Sequence, residues 1–166
     1  MRQCKAFTNL FGVFIVLLFV LFGVGFYTFY NAKGTSYFSN DSKSCNNCHI
    51  MNDVYNDYLN APHSKKVAGK PRASCVDCHL PHNFIDKWIA KGKSGLSHAY
   101  SFTFKLDELP TNLSTTNNSK MMVQNNCIEC HTEIASNVIN STTNPHNDRS
   151  LSCVSCHTGV GHKRGF

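Results

Sequence analysis

Eight of the nine cysteines in this 166-residue chain form four pairs with one spacing, C-x-x-C, and a histidine directly follows each pair. This pattern is the attachment motif of c-type haem, in which two thiols form thioether bonds to the porphyrin and the adjacent histidine reaches the iron. The sequence therefore predicts four covalently bound haems c. The cysteines are Cys45, Cys48, Cys75, Cys78, Cys127, Cys130, Cys153 and Cys156, and the histidines are His49, His79, His131 and His157.

Other uses of paired cysteines fit the pattern less well. A structural zinc site needs no histidine after each pair. Thioredoxin-like chemistry needs one pair in a βαβ frame, and a disulfide scaffold would not repeat one spacing four times. Aliphatic residues are scarce after residue 30, so the domain would have a poor core unless haem fills it. The net charge of +6 is too weak to indicate nucleic-acid binding.

An uncharged segment precedes the motifs. Residues 10–30 would form a helix of about 31 Å, which matches a bilayer core of roughly 30 Å. Aromatic residues close its far end, and Arg2 and Lys5 precede it. A cleaved signal peptide would have a shorter apolar core and a small-x-small cleavage site. We therefore expect a transmembrane anchor, with residues 1–9 in the cytoplasm and the haem domain, 31–166, on the other side.

The haem motifs form two similar halves. Each half, about 40–108 and 121–166, holds two C-x-x-C-H motifs with one Pro-His dipeptide between them. A stretch rich in Asn, Thr and Ser, 109–120, joins the halves as a linker. The arrangement indicates a duplicated dihaem unit. We expect a mainly α fold, with one N-terminal transmembrane helix and a small haem-packed multihaem cytochrome c domain that contains little β-structure.

Low-spin haem iron needs two strong axial ligands, so four haems offer eight places. The motif histidines can take four of them. His63 and His146 occupy matching positions in the two halves, and both are predicted as distal ligands. His162 is a candidate for the fourth haem. In the first motif, the thioether of Met51 is an alternative to His49.

A C-x-x-C-H-x-M motif after one N-terminal anchor, followed by three C-x-x-C-H motifs, resembles the membrane tetrahaem quinol dehydrogenases of the NapC/NrfH family. The segments CHLPHNFIDKW (78–88) and KGKSGLSHAY (91–100) extend the likeness, which covers nearly the whole chain. The short length is most similar to the NrfH branch, which serves a nitrite reductase.

The resemblance implies a cellular role. It places the anchor in the bacterial inner (cytoplasmic) membrane and the haem domain in the periplasm. It implies that menaquinol from the membrane quinone pool is the substrate. A periplasmic pentahaem cytochrome c nitrite reductase is the implied partner. Two alternatives are a hub that feeds other periplasmic reductases, such as nitrate reductase, and a passive electron carrier without quinol chemistry.

The resemblance also implies a ligand set for each haem. In the nitrite-reductase branch of the family, the methionine of C-x-x-C-H-x-M binds the first haem in place of the motif histidine. The ligands implied for the four haems in turn are Met51 in place of His49, His79 with His146, His131 with His63, and His157 with either His162 or a lysine of the partner enzyme.

A predicted helix over 83–100 carries the candidate quinol site. Its apolar residues recur at helical spacing, which favours an amphipathic helix near the membrane surface or one packed on haem. Lys91 and His98 are seven residues apart and share one side of it. Quinol oxidation needs a hydrogen-bond donor and a base, roles that Lys91 and His98 can fill. The family has a lysine and an acidic residue at these positions, so His98 replaces the acid; the other interpretation is a solvated helix face.

Overall fold

The computed structural model describes residues 2–109, 114–139 and 152–163, and the chain divides into two units, 1–36 and 37–166. The first unit is built on helix α1, Arg2–Asn31. Its part Asn9–Asn31 is apolar, long enough to cross a membrane and exposed along its whole length. A helix that is apolar on every side and has no protein packed around it requires a lipid environment.

The second unit is mostly helical, as the sequence predicts. Its helices are short except for two, and several coincide with the haem motifs. They are α2 (Ser42–Cys45), α3 (Asn52–Asn60), α4 (Cys75–His79), α5 (Phe84–Phe104), α6 (Asn117–Cys130), α7 (Thr132–Ile139) and α8 (Cys153–Cys156), with 3₁₀ turns at Gly34–Phe38, His49–Met51, Pro62–Ser64 and Leu106–Glu108.

The β-structure of the described residues consists of one small hairpin. Strands β1 (Lys66–Val67) and β2 (Lys70–Pro71) pair antiparallel. The two residues between them, Ala68 and Gly69, have φ angles of 51° and 82°. Two left-handed residues in a row are typical of the type I′ turn, which matches the twist of a hairpin. The expected mainly α fold with little β-structure is confirmed.

Helix α5 contains the segment for which the sequence predicts an amphipathic helix. The Asn83 side chain accepts a hydrogen bond from the backbone N–H of Ile85 at 2.9 Å and so caps the helix. The helix covers the predicted range 83–100 and continues to Phe104. Its apolar residues are widely exposed, with Phe84 and Leu96 each 75% accessible.

Helix α6 begins inside the stretch that the sequence predicts as a linker. The Thr116 side chain accepts a hydrogen bond from the backbone N–H of Ser119 at 3.3 Å, and the helix starts at Asn117. The polar residues that favour a loop also include the best helix-capping residues. The last residues of the predicted linker, 109–120, are therefore the first turn of a helix that leads into the third haem motif.

The core of the second unit is small. The buried hydrophobic residues of the described part are Tyr58, Ala61, Val76 and Val123, and no large side chain there is fully buried. Three polar residues are buried as deeply, namely Ser42, Lys91 and Asn126. A protein interior normally excludes such groups unless they are hydrogen-bonded. The hydrogen bonds of these buried polar residues therefore indicate which contacts stabilise the domain.

Candidate functional site

Three of the four haem motifs are single helical turns. The second motif forms helix α4 itself. The third motif lies at the C-terminal end of α6, and the fourth lies at the C-terminal end of α8. The backbone N–H groups of His131 and His157 donate to the carbonyls of Cys127 and Cys153, each at 2.9 Å. Positions i, i+3 and i+4 of a helical turn share one face. Each turn therefore presents two thiols and a histidine on the same side.

The first motif has a different backbone. Helix α2 ends at Cys45, and Cys48 is extended, with φ −98° and ψ 127°. A separate 3₁₀ turn, His49–Met51, follows, in which the Met51 N–H donates to the Cys48 carbonyl at 2.9 Å. His49 therefore does not continue a helical turn from the first cysteine, as the other motif histidines do.

The helices that carry the motifs contact one another in chain order: α2 contacts α4, α4 contacts α6, and α6 contacts α8. The Cys45 and Cys75 thiols are hydrogen-bonded, which lowers the pKa of Cys75 to about 7 and raises the pKa of Cys45. Burial, and then repulsion by Cys127, raises the pKa of the Cys78 thiol to about 11. Burial, and then repulsion by Cys153, raises the pKa of Cys127. The four motifs are therefore neighbours in space in the order in which they occur in the sequence.

Buried side chains tie each motif to the next. The Ser42 hydroxyl accepts a hydrogen bond from the backbone N–H of Cys75 at 3.1 Å, which joins the first and second motifs. Gln124, near the third motif, accepts from the N–H of Cys153 at 2.8 Å. Asn126, beside the third motif, donates to the second. The spacing of the attachment points is therefore fixed by polar contacts rather than by an aliphatic core.

His82, for which the sequence predicts no ligand role, makes another link between the second and third motifs. Its Nε2 bonds the Asp77 carbonyl at 2.9 Å, and its Nδ1 lies 3.1 Å from the Glu129 carboxylate. The Asp77 carbonyl, and then Glu129, raise the pKa of His82. Since both nitrogens are engaged within the protein, the geometry gives His82 a structural role.

Two pairs of candidate ligands face each other. The ring centres of His63 and His131 are 6.2 Å apart, and those of His79 and His162 are 5.8 Å apart. A metal–imidazole bond is about 2.0 Å long and the nitrogen lies about 1.1 Å from the ring centre, so two histidines on one iron have ring centres about 6 Å apart. Both pairs therefore have the separation that a bis-histidine haem requires.

The tautomer of His63 suits iron binding. Its Nδ1 hydrogen-bonds the carbonyl of Val160 at 2.9 Å, 97 residues along the chain. An imidazole whose Nδ1–H donates to a carbonyl has a lone pair on Nε2, which is the usual arrangement of a metal-bound histidine. The ring of His131 lies edge-on to the His63 ring.

The residues present fit covalently attached haem. All eight motif cysteines are free of disulfides and are half-buried or exposed. The small aliphatic core leaves room for large apolar cofactors. Of the remaining predicted ligands, Met51 is half-buried, whereas His49 and His157 are exposed. His146 lies in 140–151, outside the described residues.

The predicted quinol-site lysine is buried by the chain segment 37–40. The Nζ of Lys91 donates to the Ser39 carbonyl and to the Asn40 side-chain oxygen, each at 2.8 Å, and lies 5.1 Å from the Trp88 ring centre. Lys91 is 6% exposed, and burial lowers its pKa. The solvated-face interpretation is therefore wrong for Lys91.

The predicted quinol-site histidine has a phenol partner. His98 is exposed on α5, and its Nδ1 is 2.5 Å from the Tyr37 hydroxyl. Burial raises the pKa of Tyr37. Lys91 interacts electrostatically with Cys45. Lys91 and His98 therefore both bond the segment 37–40, which leads directly into α2 and the first haem motif.

Sequence reasoning missed Tyr37 and Asn126. Tyr37 lies 61 residues from His98, and no periodicity connects the two. Asn126 directly precedes the third motif, so its position hints at a supporting role, but its partner lies 48 residues away. The closeness of the His79 and His162 rings was not anticipated either, since the resemblance implies His146 as the partner of His79 and the sequence made His162 a candidate for the fourth haem.

One exposed apolar helix and C-x-x-C-H motifs on helices that contact one another define a membrane-anchored c-type cytochrome. The chain belongs to the NapC/NirT cytochrome c family, whose N-terminal region matches residues 8–165. It is 33% identical to the cytochrome c-type protein NrfH of Wolinella succinogenes, over 89% of this chain and 83% of that one. It is 30% identical to the cytochrome c-type protein NapC of Escherichia coli K12, over 75% and 70% of the two chains.

A solved structure has the same fold. A chain of the cytochrome c nitrite reductase NrfHA complex bound to the HQNO inhibitor matches with a TM-score of 0.57 and 23% identity, over 85% of this chain and 86% of that one. Family membership gives this protein an electron-transfer role with covalently bound haem c. Together with the single apolar N-terminal helix, it makes the chain a single-pass inner-membrane protein.

Proposed function

We propose that this chain carries four haems c, oxidises menaquinol and passes the electrons to a periplasmic pentahaem nitrite reductase, which reduces nitrite to ammonia. The observation that carries the proposal is that Lys91 and His98 both bond the segment 37–40, which leads directly into the first haem motif. The helices that carry the four motifs contact one another in chain order. The 33% identity to NrfH supports the choice of partner. The basic residues Arg2 and Lys5 support an N-terminus in the cytoplasm and a haem domain in the periplasm.

Ring geometry supports a ligand set that differs from the expected one at one position. For the third haem, the facing rings support His131 with His63. For the second haem, the stacked rings favour His79 with His162, at an interplanar angle of 11°, in place of His146. For the first haem, the broken helical turn supports Met51 in place of His49.

The fourth haem then lacks a second histidine from the described residues. Because the ring of His162 faces that of His79, His162 serves as the second axial ligand of the second haem and is not available to the fourth haem. His157 lies exposed after helix α8, where a partner protein can approach. The arrangement favours a lysine of the partner enzyme as the other ligand of this haem, at the site where electrons leave.

The quinol site uses the chemistry of two side chains. Quinol oxidation releases two electrons and two protons, and haem supplies a one-electron acceptor near the first motif. The Lys91 ammonium has three N–H donors, and two of them donate hydrogen bonds to Ser39 and Asn40. The third can donate to a quinol oxygen. The His98 imidazole has a ring nitrogen that can accept the quinol proton.

Quinol-driven haem reduction tests the proposal. The purified, haem-loaded full chain in detergent is mixed with a reduced menaquinol analogue, and haem absorbance is followed. We expect rapid reduction that HQNO blocks and that Lys91→Ala slows at least tenfold. Lys93→Ala is the matched control, since Lys93 is exposed on the same helix. Reduction by dithionite but not by quinol would instead favour the passive carrier.

Partner capture separates the nitrite reductase from other acceptors. The chain is expressed with an affinity tag in its native organism and purified from the membranes of that organism. Haem proteins that copurify with it are identified by mass spectrometry. We expect a pentahaem nitrite reductase and quinol-dependent nitrite reduction by the complex. Recovery of several different periplasmic reductases would favour the hub, which the 30% identity to NapC also supports.

A further inference from the structure

Tyr37, which precedes the first haem motif, packs against the surface of helix α5. The segment 37–40 runs along this helix: Phe38 packs against Trp88 with ring centres 6.0 Å apart, and Lys91 bonds the following two residues. Tyr37 lies at the other end, with its ring over Gly95 and its hydroxyl at Nδ1 of His98. A Cβ added at Gly95 would lie 3.7 Å from that ring, so the two surfaces are in ordinary contact. Packing thus fixes the Tyr37 ring where its hydroxyl meets His98.

The hydrogen bond leaves one nitrogen of His98 available. Nδ1 is occupied by Tyr37, and within the described part of the chain Nε2 has no hydrogen-bond partner. The partner of one ring nitrogen decides the tautomer and the direction of the other. A phenol oxygen can accept from an Nδ1–H group, which leaves the lone pair on Nε2.

We propose that Tyr37 is a positioning residue for quinol oxidation, which holds His98 with Nε2 open to take the proton from a quinol hydroxyl. The inference rests on the function proposed above. The quinol loses two protons and two electrons. Bound haem c would supply the one-electron acceptor for each of the two electrons. His98 receives a proton at Nε2 with its Nδ1–H held on the Tyr37 oxygen. It then releases that proton to water before the second transfer.

The surroundings of the pair suit this task. The titratable groups that act on Tyr37 are the Cys48 and Cys45 thiols of the first haem motif, which become uncharged thioethers in the haem-loaded protein. Tyr37 has its phenol pKa raised above the usual value, by burial first, so it stays neutral. A neutral phenol orients the imidazole without adding a negative charge to the site.

A double-mutant cycle on the haem-loaded chain tests the coupling. Tyr37→Phe keeps the ring on Gly95 and removes only the hydroxyl. We expect it to lower kcat for quinol oxidation about tenfold with little change in KM, and His98→Gln to lower it about a hundredfold. The double variant should match His98→Gln within about twofold, because Tyr37 acts through His98. Tyr100→Phe, on the same helix with its ring against Phe104, is the control and should match the wild type.

Binding of HQNO to the oxidised protein gives a readout without turnover. We expect Tyr37→Phe to weaken binding several-fold by calorimetry, and to have no further effect in the His98→Gln background. Wild-type kcat and HQNO affinity in Tyr37→Phe, or additive losses in the double variant, would overturn the role of Tyr37 while leaving quinol oxidation in place. A wild-type chain that neither binds HQNO nor is reduced by quinol would overturn the proposed function and this inference with it.

Discussion

Asn126 donates a hydrogen bond from its side-chain amide to the carbonyl of Cys78 at 3.0 Å, across 48 residues of sequence. The same amide donates to the carbonyl of Leu80 at 2.9 Å, and Asn126 is 5% exposed. One side chain therefore joins the end of the second haem motif to the start of the third. Haem-to-haem electron transfer depends on fixed spacing, so a buried amide at this point has a direct functional consequence.

Replacement of Asn126 should destabilise the domain. Asn126→Asp keeps the shape but presents a carboxylate oxygen where the amide donated to the two carbonyls. We expect a loss of about 2 kcal/mol in the free energy of unfolding, or a fall of about 6 °C in Tm. Circular dichroism of the haem-loaded protein during heating measures it. Asn125→Asp, at an exposed neighbouring position, is the control, and an equal fall in both variants would contradict the role of the amide.

The parts of the molecule that could be predicted are those with local causes. The anchor follows from a run of apolar residues, the attachment points from spacing within five residues, and helix α5 from its apolar stripe and the cap at Asn83. Each of these depends on neighbours in sequence. The structure has helix α1 over the predicted anchor and helix α5 over the predicted amphipathic segment, because tertiary packing has little to override there.

The contacts between motifs have non-local causes and could not be predicted. The resemblance implied His146, which lies outside the described residues, as the partner of His79; the turn after the fourth motif brings the His162 ring to within 5.8 Å of the His79 ring. Tyr37 meets His98 because the segment 37–40 follows α5, which no pattern in either segment encodes. Contacts between residues that are far apart in sequence depend on how whole elements pack around the cofactors. Local secondary-structure propensity does not predict them.

The ion pair of His82 and Glu129 should make stability depend on pH. The pKa of folded His82 is raised, so its stabilising effect is complete below the unfolded value of about 6.5 and is lost as pH rises through the folded value. His82 and Glu129 are 26% and 62% exposed, so the pair contributes about 0.5 kcal/mol. Glu129→Gln should lower Tm by about 1–2 °C at pH 6 and not at pH 9.

Thermal unfolding at both pH values measures this difference. Glu133→Gln, an exposed carboxylate on the neighbouring helix α7, is the matched control. A Glu129→Gln effect of equal size at pH 6 and pH 9 would show that the carboxylate acts without the charge of His82.

Met51 should set the potential of one haem. A thioether ligand raises the reduction potential of haem iron relative to an imidazole. Met51→His is therefore expected to lower one of the four midpoint potentials by on the order of 100 mV, within the roughly 0.8 V range that axial ligands cover. Spectroelectrochemical titration resolves it. Met121→His, at a 60% exposed position on α6, should leave all four potentials unchanged. Four bis-histidine low-spin spectra in the wild type would exclude Met51 as a ligand.

Histidine substitutions should separate the two candidates for the second haem. The stacked rings of His79 and His162 predict that His162→Ala removes one axial ligand and turns one low-spin haem high-spin in the oxidised protein. His146→Ala should produce no new high-spin haem. Electron paramagnetic resonance of both variants, with full haem content checked beforehand, distinguishes them. A high-spin signal in His146→Ala and none in His162→Ala would restore the ligand that the sequence repeat predicts, and would return His162 to the fourth haem as its candidate ligand.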